Sequence, residues 1–341
     1  MNFFKKWLNS LKSYDIVKHT KKYFIGSGSI ILVGLLVILI FGFNLGIDFT
    51  GGTVLKINIG STLENAGVYE TTTAQIETVL QNNGLSLSLK QQEGIGEDAS
   101  VMIRFQDISG YTEEQMQELI EEVKADIVTI LSIDESQVED TQRIGPSATS
   151  SLLLNAFLAI IIATVLILIY IAFRFELLSG LAAILALLHD VLIMLALVAI
   201  FRLQINSAFI AALITIIGYS INDTIVVFDR VRENRQKESY KEKTNSEIVN
   251  ISIRETIIRT LNTSVTTLFT ITVLAVLSVP SIREFAIPII IGLIAGTYSS
   301  IFIATPLWAI VNDRTRPKNK NTKTLQTKTV KKDENKEILQ V

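Results

Sequence analysis

Ionisable side chains inside long apolar segments are the residues of this sequence that could do chemistry. His189 and Asp190 lie about halfway along the apolar segment 177–201, and Asp223 lies in the segment 206–228. An ionisable residue within a membrane helix costs about 2.5–3.5 kcal/mol on insertion scales, so it usually faces other helices and has a function. A carboxylate in such a position can bind and release a cation.

Polar groups accompany Asp223 at helical spacing. Tyr219 and Ser220 precede it by four and three positions, so their hydroxyls share its helix face, and Asn222 adjoins it. The next apolar segment carries polar residues at steps of three, one, three and four, which predicts a stripe on one helix face. The stripe consists of Arg259, Asn262, Thr263, Thr266 and Thr270.

If this stripe faces Asp223, Arg259 and the threonine hydroxyls stabilise the charged carboxylate, whereas burial favours the neutral form. These opposing effects would allow H⁺ or Na⁺ to be bound on one side of the membrane and released on the other. Structural alternatives stay open. Asp223 could form an interhelical hydrogen bond worth about 0.6 kcal/mol, and Arg259 could anchor a helix end at the cytoplasmic face.

His189 and Asp190 are neighbours in sequence. Their side chains therefore leave a helix about 100° apart, and we do not expect both to line one narrow pathway. A functional role for one of them is the better expectation.

Six apolar segments are long enough to cross a membrane, since a hydrocarbon core of about 30 Å needs about 20 helical residues. Of the 341 residues, 49% are hydrophobic and only 19% are charged, which is too apolar for a soluble protein. The sequence therefore predicts an α-helical membrane protein with six transmembrane helices, at 23–43, 152–173, 177–201, 206–228, 262–280 and 285–311. No A-x-A-like cleavage site follows the first, so it is expected to remain as an anchor.

The charges around these segments predict the orientation. Segment 1–22 contains six Lys and one acidic residue, and segment 312–341 contains nine basic and four acidic residues. Residues 44–150 contain 18 acidic and five basic residues. Because cytoplasmic flanks are enriched in Lys and Arg, both termini of this multi-pass protein are predicted to be cytoplasmic, with 44–150 outside.

Residues 44–150 show alternating strand and helix periodicities. Strands are predicted at 53–59, 85–91, 100–105 and 137–144, and helices at 72–82 and 113–131. The order βαββαβ predicts an α+β, ferredoxin-like extracytoplasmic domain between helices 1 and 2.

Short glycine-containing connections flank this predicted domain and could serve as hinges, although on physical grounds alone an Asx turn is the better explanation of the first. They contain Asp48, Phe49, Gly51 and Gly52 on one side, and Gly145 and Pro146 on the other. In the last span, Gly292, Gly296 and Ser300 recur every four residues, which predicts close helix packing.

Two further segments lie outside the predicted spans. Residues 229–261 combine mixed charge with spaced isoleucines, which predicts one or two interfacial amphipathic helices. Residues 312–341 are rich in Lys, Thr and Asn without periodicity, which predicts a disordered tail. Cys is absent, and Gly51-Gly52 lacks the Lys and Ser/Thr of a phosphate-binding loop. The absence of Cys excludes a thiolate metal site and a Cys nucleophile. We predict no catalytic residue, metal site, cofactor or nucleic-acid partner.

As a set, these motifs resemble the SecD/SecF family of protein-export membrane proteins, within the resistance-nodulation-division superfamily. The resemblance runs from about residue 16 to residue 311. It rests on Gly-Ile-Asp-Phe-Thr-Gly-Gly-Thr at 46–53, Ile-Gly-Pro at 144–146, Leu-His-Asp at 188–190, Gly-Tyr-Ser-Ile-Asn-Asp at 218–223 with its continuation to 234, and Arg-Thr-Leu-Asn-Thr-Ser at 259–264.

The resemblance implies a SecF-like subunit that pairs with SecD, associates with the SecYEG channel and YajC, and contacts exported preprotein chains and membrane lipids. It implies use of the proton or sodium gradient to promote preprotein translocation, without enzyme activity. In the family, the fourth-span Asp and the fifth-span Arg belong to the ion pathway, and they match Asp223 and Arg259. The alternatives are a small-molecule or lipid exporter of the same superfamily, an intramembrane aspartyl protease using Asp190 and Asp223, and a purely structural subunit.

Overall fold

Long helices make up most of the protein. The computed structural model describes residues 14–60, 66–93 and 99–315. In this part of the chain, the helices of eight or more residues are α1 (Thr20–Phe41), α2 (Ala66–Asn82), α3 (Glu113–Leu131), α4 (Pro146–Arg174), α5 (Leu177–Ile200), α6 (Ser207–Gln236), α7 (Asn245–Leu277), α8 (Pro280–Ser299) and α9 (Thr305–Thr315). A π-helical segment, Ser300–Ala304, joins α8 to α9.

Six helical stretches among the described residues are long and apolar enough to cross a membrane. They are α1, α4, α5, α6, α7 and the continuous α8–α9, and each overlaps one predicted span. α8 lies at the centre of this bundle, packed against α5, α6 and α7, while α1 packs on α5. α4 is largely exposed, as expected for a helix that faces lipid or a partner.

Local sequence signals determine where the central helices begin. The Asn206 side chain caps α6 by accepting a hydrogen bond from the Phe209 N–H at 2.9 Å. Thr244 and Glu247 form a capping box at the start of α7. Pro280 occupies the beginning of α8, where its missing N–H leaves no helical hydrogen bond unmade.

The connection over 229–261 differs from the prediction of separate interfacial helices. α6 continues to Gln236 and α7 already begins at Asn245, so most of the segment extends two membrane helices. The spaced isoleucines face the bundle rather than a membrane surface, because they pack in a core with Phe228 and Val231. These isoleucines are Ile248, Ile253 and Ile257. The predicted disordered tail lies outside the described residues from 316 onward, as do residues 1–13 of the basic N-terminal segment.

The strands form one antiparallel sheet between α1 and α4 in sequence. Its strands are β1 (Gly52–Asn58), β2 (Leu87–Glu93), β3 (Ser100–Gln106) and β4 (Val138–Ile144), in the spatial order β2-β3-β1-β4. α2 connects β1 to β2 and α3 connects β3 to β4, which matches the predicted order βαββαβ. We call this unit the sheet domain.

The two faces of the sheet have different partners. On β3, Val101, Ile103 and Phe105 are buried in a core with residues of α2 and α3. The alternate residues Arg104 and Gln106 point to the other face and bond to groups at the near ends of the membrane helices. This alternation follows from the two-residue period of a strand. The sheet domain therefore rests directly on the bundle.

The connection from α1 into β1 is held in place. Asp48 Oδ2 accepts a hydrogen bond from Ser207 N–H at the start of α6, at 2.7 Å, and Phe49 is buried among residues of α5 and α6. Gly51 has φ +80°, which favours glycine, and a Cβ on Gly52 would lie 2.5 Å from the Phe105 carbonyl oxygen. These contacts explain both glycines of the Gly-Gly pair.

The second predicted hinge is also packed closely. A Cβ on Gly145 would lie 2.7 Å from Glu113 Oε1, and Pro146 begins α4. Both connections are therefore anchored turns in this structure, and a hinge role for them stays a prediction.

Asp107, at the base of the sheet domain, gives a pH-dependent prediction. Burial raises the pKa of its carboxyl above the ordinary value near 4; Arg143 lowers the pKa and Glu113 raises it, and the net direction is upward. Folding therefore favours the protonated carboxyl. The protonated Asp107 carboxyl therefore contributes fully to the free energy of unfolding below its unfolded-state pKa, and this contribution is lost as pH rises through the raised folded-state pKa.

We expect Asp107→Asn to reduce the pH dependence of the sheet domain's free energy of unfolding. The measurement is amide hydrogen exchange of β1 and β3 in the full chain between about pH 4 and 7. Glu118→Gln, which changes an exposed acid of α3, is the control. An unchanged difference in exchange between the two pH values in Asp107→Asn would show that this carboxyl does not contribute.

Candidate ion site between the membrane helices

Asp223 lies where α6 meets α7. Its side chain is buried, with 7% of the residue exposed. Asp223 Oδ2 accepts a hydrogen bond from Ser264 Oγ of α7 at 3.1 Å, and Ser264 Oγ in turn lies 2.7 Å from Thr297 Oγ1 of α8. A chain of hydroxyl groups thus connects the carboxylate to two neighbouring helices.

Each of these hydroxyl groups has two acceptors within reach. Ser264 Oγ lies 2.9 Å from the Thr260 carbonyl oxygen as well as 3.1 Å from Asp223. Thr297 Oγ1 lies 2.8 Å from the Leu293 carbonyl oxygen as well as 2.7 Å from Ser264. Because a hydroxyl carries a single proton, it can donate to only one acceptor at a time. The chain can therefore adopt alternative hydrogen-bond arrangements without moving the backbone.

A narrow cleft lies beside Asp223. Its volume of about 10 Å³ is the size of a single water site. The lining combines hydroxyl groups with the two small residues of α8, and consists of Tyr219, Ser220, Asp223, Thr263, Ser264, Thr267, Gly292, Leu293, Gly296 and Thr297. Carboxylate and hydroxyl oxygens are suitable for a proton, a hydronium ion or a small hard cation such as Na⁺. The cleft thus has the size and the groups of a single-ion site.

Small residues of α8 make this close arrangement possible. A Cβ on Gly296 would lie 3.1 Å from the Ser220 Cβ, and one on Gly292 would lie 2.5 Å from the Ile216 side chain. Ser300, the third member of the predicted series, is fully buried and donates to the Thr297 carbonyl oxygen. α8 therefore approaches α6 directly next to Asp223.

Asp190 of α5 is buried more deeply than Asp223, with 1% of the residue exposed. Its Oδ2 accepts hydrogen bonds from Ser220 Oγ of α6 and, at 2.7 Å, from Ser299 Oγ of α8. Ser220 precedes Asp223 by one helical turn, so the two carboxylates occupy the same region of the bundle. Each has its own serine donors.

The polar atoms of His189 and Asp190 meet although the two side chains leave α5 in different directions, and whether only one of them serves an ion pathway stays a prediction. His189 Nδ1 lies 3.0 Å from Asp190 Oδ1. A 100° separation describes the directions in which side chains leave the helix, and the imidazole is long enough to turn back. The ring also stacks on Tyr298 with centroids 6.1 Å apart, and His189 Nε2 is buried without a hydrogen-bond partner among the described residues.

The predicted stripe on α7 meets the Asp223 cleft only in part. Thr263 lines the cleft, whereas Arg259 does not, which corrects the expected pairing of Arg259 with Asp223. All five of its members are exposed: Arg259, Asn262, Thr263, Thr266 and Thr270. The helix instead turns Thr260 and Ser264 inward. Thr260, Ser264 and Thr267 are spaced by four and three, so the sequence offers two hydroxyl rows on this helix, and spacing alone does not tell which one faces inward.

Models of known protein families match most of the membrane region. The model described as "Protein export membrane protein SecD/SecF, C-terminal" covers residues 124–314, and the "SecD/SecF GG Motif" covers residues 36–58. The chain belongs to the SecD/SecF family. The Gly51-Gly52 pair lies within the second match, and Gly52 is enclosed between β3 and Ile47.

Curated relatives agree with this assignment. The chain is 39% identical over 296 residues to a protein translocase subunit SecF of Calditerrivibrio nitroreducens, covering 86% of this chain and 92% of that protein. It is 33% identical to the translocase subunit SecDF of Bacillus subtilis, covering 89% of this chain and 38% of the larger protein. The chain therefore has a SecF-like role in protein translocation.

A solved structure of the family has the same fold. The crystal structure of SecDF from Thermus thermophilus, described as a translocon-associated membrane protein, matches with a TM-score of 0.66 and 31% identity. The match covers 89% of this chain and 39% of that one, so the chain spans about two fifths of the SecDF structure.

Two polar features of this SecD/SecF chain were missed by the sequence prediction. Ser299 of α8 bonds to Asp190, and Thr297 bonds to Ser264, the serine that donates to Asp223. Immediately after them, Ser300–Ala304 forms a π-helical segment, and Thr305 Oγ1 donates to the Ser300 carbonyl oxygen at 3.3 Å. Such segments often occur at functional sites. The serine-rich run Thr297–Ser300 was the available signal.

Proposed function

We propose that this SecF-like subunit couples the proton or sodium gradient to preprotein translocation through Asp223. The observation that supports this most directly is the hydroxyl chain from Asp223 through Ser264 to Thr297, in which each hydroxyl has an alternative acceptor. The adjoining cleft has room for one water or ion.

The two states of Asp223 favour different arrangements of this chain. The charged carboxylate accepts a hydrogen bond from the Ser264 hydroxyl. The protonated carboxyl, or one that binds Na⁺, no longer needs this donor, and Ser264 can then donate to the Thr260 carbonyl oxygen at 2.9 Å. Loss of the Asp223–Ser264 bond removes a polar contact between α6 and α7, so ion binding weakens the attachment of these two helices.

The gradient supplies enough free energy for such a change. Moving one elementary charge across 100 mV is worth about 2.3 kcal/mol, which is enough to shift a two-state equilibrium by more than tenfold. No covalent step is required, and the proposed function is therefore transport and not enzyme catalysis.

A SecD-like partner completes the proposed site. Tyr219 and Asn222 of α6 are exposed, as is the stripe of α7 that contains Arg259, and Tyr219 lines the same cleft as Thr263 of that stripe. Polar groups on a membrane helix are unfavourable against lipid, so we propose that a helix of SecD covers this face and contributes the rest of the ion pathway. Arg259 would then act on the partner's side of the pathway.

The remaining assembly follows from this role. The sheet domain is proposed to be a ferredoxin-like extracytoplasmic domain that contacts the emerging preprotein chain. Both termini are then cytoplasmic and the bundle lies in the bacterial inner membrane, which the basic flanks support. SecYEG and YajC are the proposed neighbours, with membrane lipids around the exposed faces of α1 and α4.

The other candidate functions have less support. An aspartyl protease needs two carboxylates that share one proton, whereas Asp190 and Asp223 bind different serines. An exporter of small molecules needs an apolar cleft outside the membrane, whereas the apolar residues of the sheet domain pack between the sheet and its helices.

The proposal is tested by export into inverted membrane vesicles that contain this chain and its partner. We expect a protonophore to remove the gradient-dependent part of export if H⁺ is the coupling ion, and a sodium ionophore to remove it if Na⁺ is. ATP-dependent export that remains without a gradient is the internal control. Export that responds to neither ionophore would contradict ion coupling.

A further inference from the structure

The near ends of α6 and α8 are attached to the sheet domain by a polar cluster that none of the predicted motifs includes. Glu284 Oε2 of α8 accepts hydrogen bonds from Arg104 of β3 at 3.3 Å and from Asn206 Nδ2 at 2.6 Å. Arg104 also donates to Ser281 Oγ at 3.0 Å, and Ser281 Oγ donates to Gln91 Oε1 at 2.8 Å. We call these five residues the latch.

The latch is partly shielded from solvent. The Arg104 and Glu284 side chains are 21% and 15% exposed. They line a cavity of about 290 Å³ between the sheet domain and the bundle, together with Asp48 and Asn206. A charge pair in such a position is much more sensitive to loss of one partner than a surface pair, because the remaining charge stays shielded from water and unpaired. Arg104 and Glu284 therefore hold the sheet domain in one position relative to α8.

The same helix contacts the ion site. One end of α8 carries Ser281 and Glu284 of the latch, and further along it carries Gly292, Gly296 and Thr297, which line the Asp223 cleft. Ser299, one residue before the π-helical segment, bonds to Asp190. α8 thus bonds to Asp190 directly, to Asp223 through Ser264, and to the sheet domain through the latch.

A bend in α8 can occur between these two regions. Pro288 lies inside the helix and has no N–H to donate to the Glu284 carbonyl oxygen, so one helical hydrogen bond is absent at this point. Sharp bends in helices occur at such residues. The latch half and the ion-site half of α8 can therefore change their relative direction.

We propose that α8 transmits the state of the Asp223 site to the sheet domain, with the Glu284–Arg104 ion pair as its attachment. This inference rests on the proposed ion coupling. In this mechanism the sheet domain does not pivot freely about its flanking connections. The first connection is bonded to the bundle, because Asp48 accepts a hydrogen bond from the Ser207 N–H and the Gly46 N–H donates to the Ile205 carbonyl oxygen. Motion of the sheet domain then requires motion of the helices beneath it.

The natural absence of Cys allows a direct test in the full chain assembled with its partner in vesicles. Spin labels are attached at two exposed positions, Tyr111→Cys in the sheet domain and Phe201→Cys after α5, and electron–electron double resonance measures the distance between them. We expect Glu284→Gln and Arg104→Gln each to broaden the distance distribution and to lower gradient-stimulated export about fivefold or more, the range typical of coupled sites. The double variant should be no worse than either single variant, because both remove one interaction.

Glu77→Gln is the matched control, because it breaks the exposed Lys90–Glu77 pair within the same domain. It should leave distance and export unchanged.

If Asp223→Asn abolishes stimulation while Glu284→Gln and Arg104→Gln change neither distance nor stimulation, the transmission role of α8 is overturned and ion coupling stands. If the two latch effects add in full in the double variant, the residues act separately and the ion-pair attachment is overturned. If Asp223→Asn has normal stimulation, the ion coupling itself is overturned.

Discussion

Asp223→Asn is expected to abolish gradient-stimulated export while the variant still folds and assembles with its partner. Asn has nearly the same shape, and its side-chain oxygen can still accept the Ser264 hydrogen bond that Asp223 accepts at 3.1 Å. It cannot gain or lose a proton, and it lacks the charge that holds Na⁺. The measurement is export into inverted vesicles with and without an imposed gradient, with the amount of co-purified partner as the readout of assembly.

Two further variants sharpen this result. Glu233→Gln removes a largely exposed acid from the same helix and should leave stimulation at the wild-type level. Ser264→Ala keeps the carboxylate but removes the hydroxyl between Asp223 and Thr297, so we expect a partial loss. Wild-type stimulation by Asp223→Asn at equal protein levels would be incompatible with the proposed mechanism and would favour a structural role for this carboxylate.

Gly292→Leu is expected to destabilise the membrane bundle. A Cβ at this position would lie 2.5 Å from the Ile216 side chain, and Ile216 is itself buried, with 1% exposed. Overpacking of a filled core costs about 1–3 kcal/mol, and here it also separates α8 from the helix that carries Asp223. The midpoint of thermal unfolding in detergent measures the effect.

The control for this substitution is Gly218→Leu. Nothing lies within 4 Å of a Cβ built on Gly218, which is exposed on α6. The unfolding midpoint of the isolated chain should therefore change little. Ile216→Ala combined with Gly292→Leu should recover part of the lost stability, because the smaller side chain makes room for the leucine. Equal midpoints for Gly292→Leu and Gly218→Leu would refute the close packing of α8 on α6.

The sequence predicted the elements of the fold well, because their signals are local. Six apolar stretches predicted the six membrane helices, and the change between strand and helix periodicity predicted the order βαββαβ. Boundaries were less accurate. Residues 229–261 were assigned to interfacial helices because isoleucines beside charges suit a membrane surface equally well, and only the packing of α6 against α7 shows that these isoleucines are buried.

The candidate site was predicted in part. Asp223, Ser220 and Asp190 stood out because a carboxylate and its hydroxyl neighbours are unusual within apolar segments. The cation expected to face Asp223 was misplaced, since Arg259 and the other members of its stripe are exposed and Ser264 takes the inward position. One helix offered two polar rows, and helical spacing cannot choose between them.

By itself, the sequence determined that this chain has six apolar stretches long enough to cross a membrane, that two of them carry carboxylates, and which family it resembles. These properties depend on composition and local periodicity. The tertiary structure decided which groups meet: Ser264 with Asp223, Ser220 and Ser299 with Asp190, and Arg104 with Glu284. Such pairs are far apart in sequence and depend on the rotation of each helix about its axis, which the packing of small residues such as Gly292 and Gly296 determines.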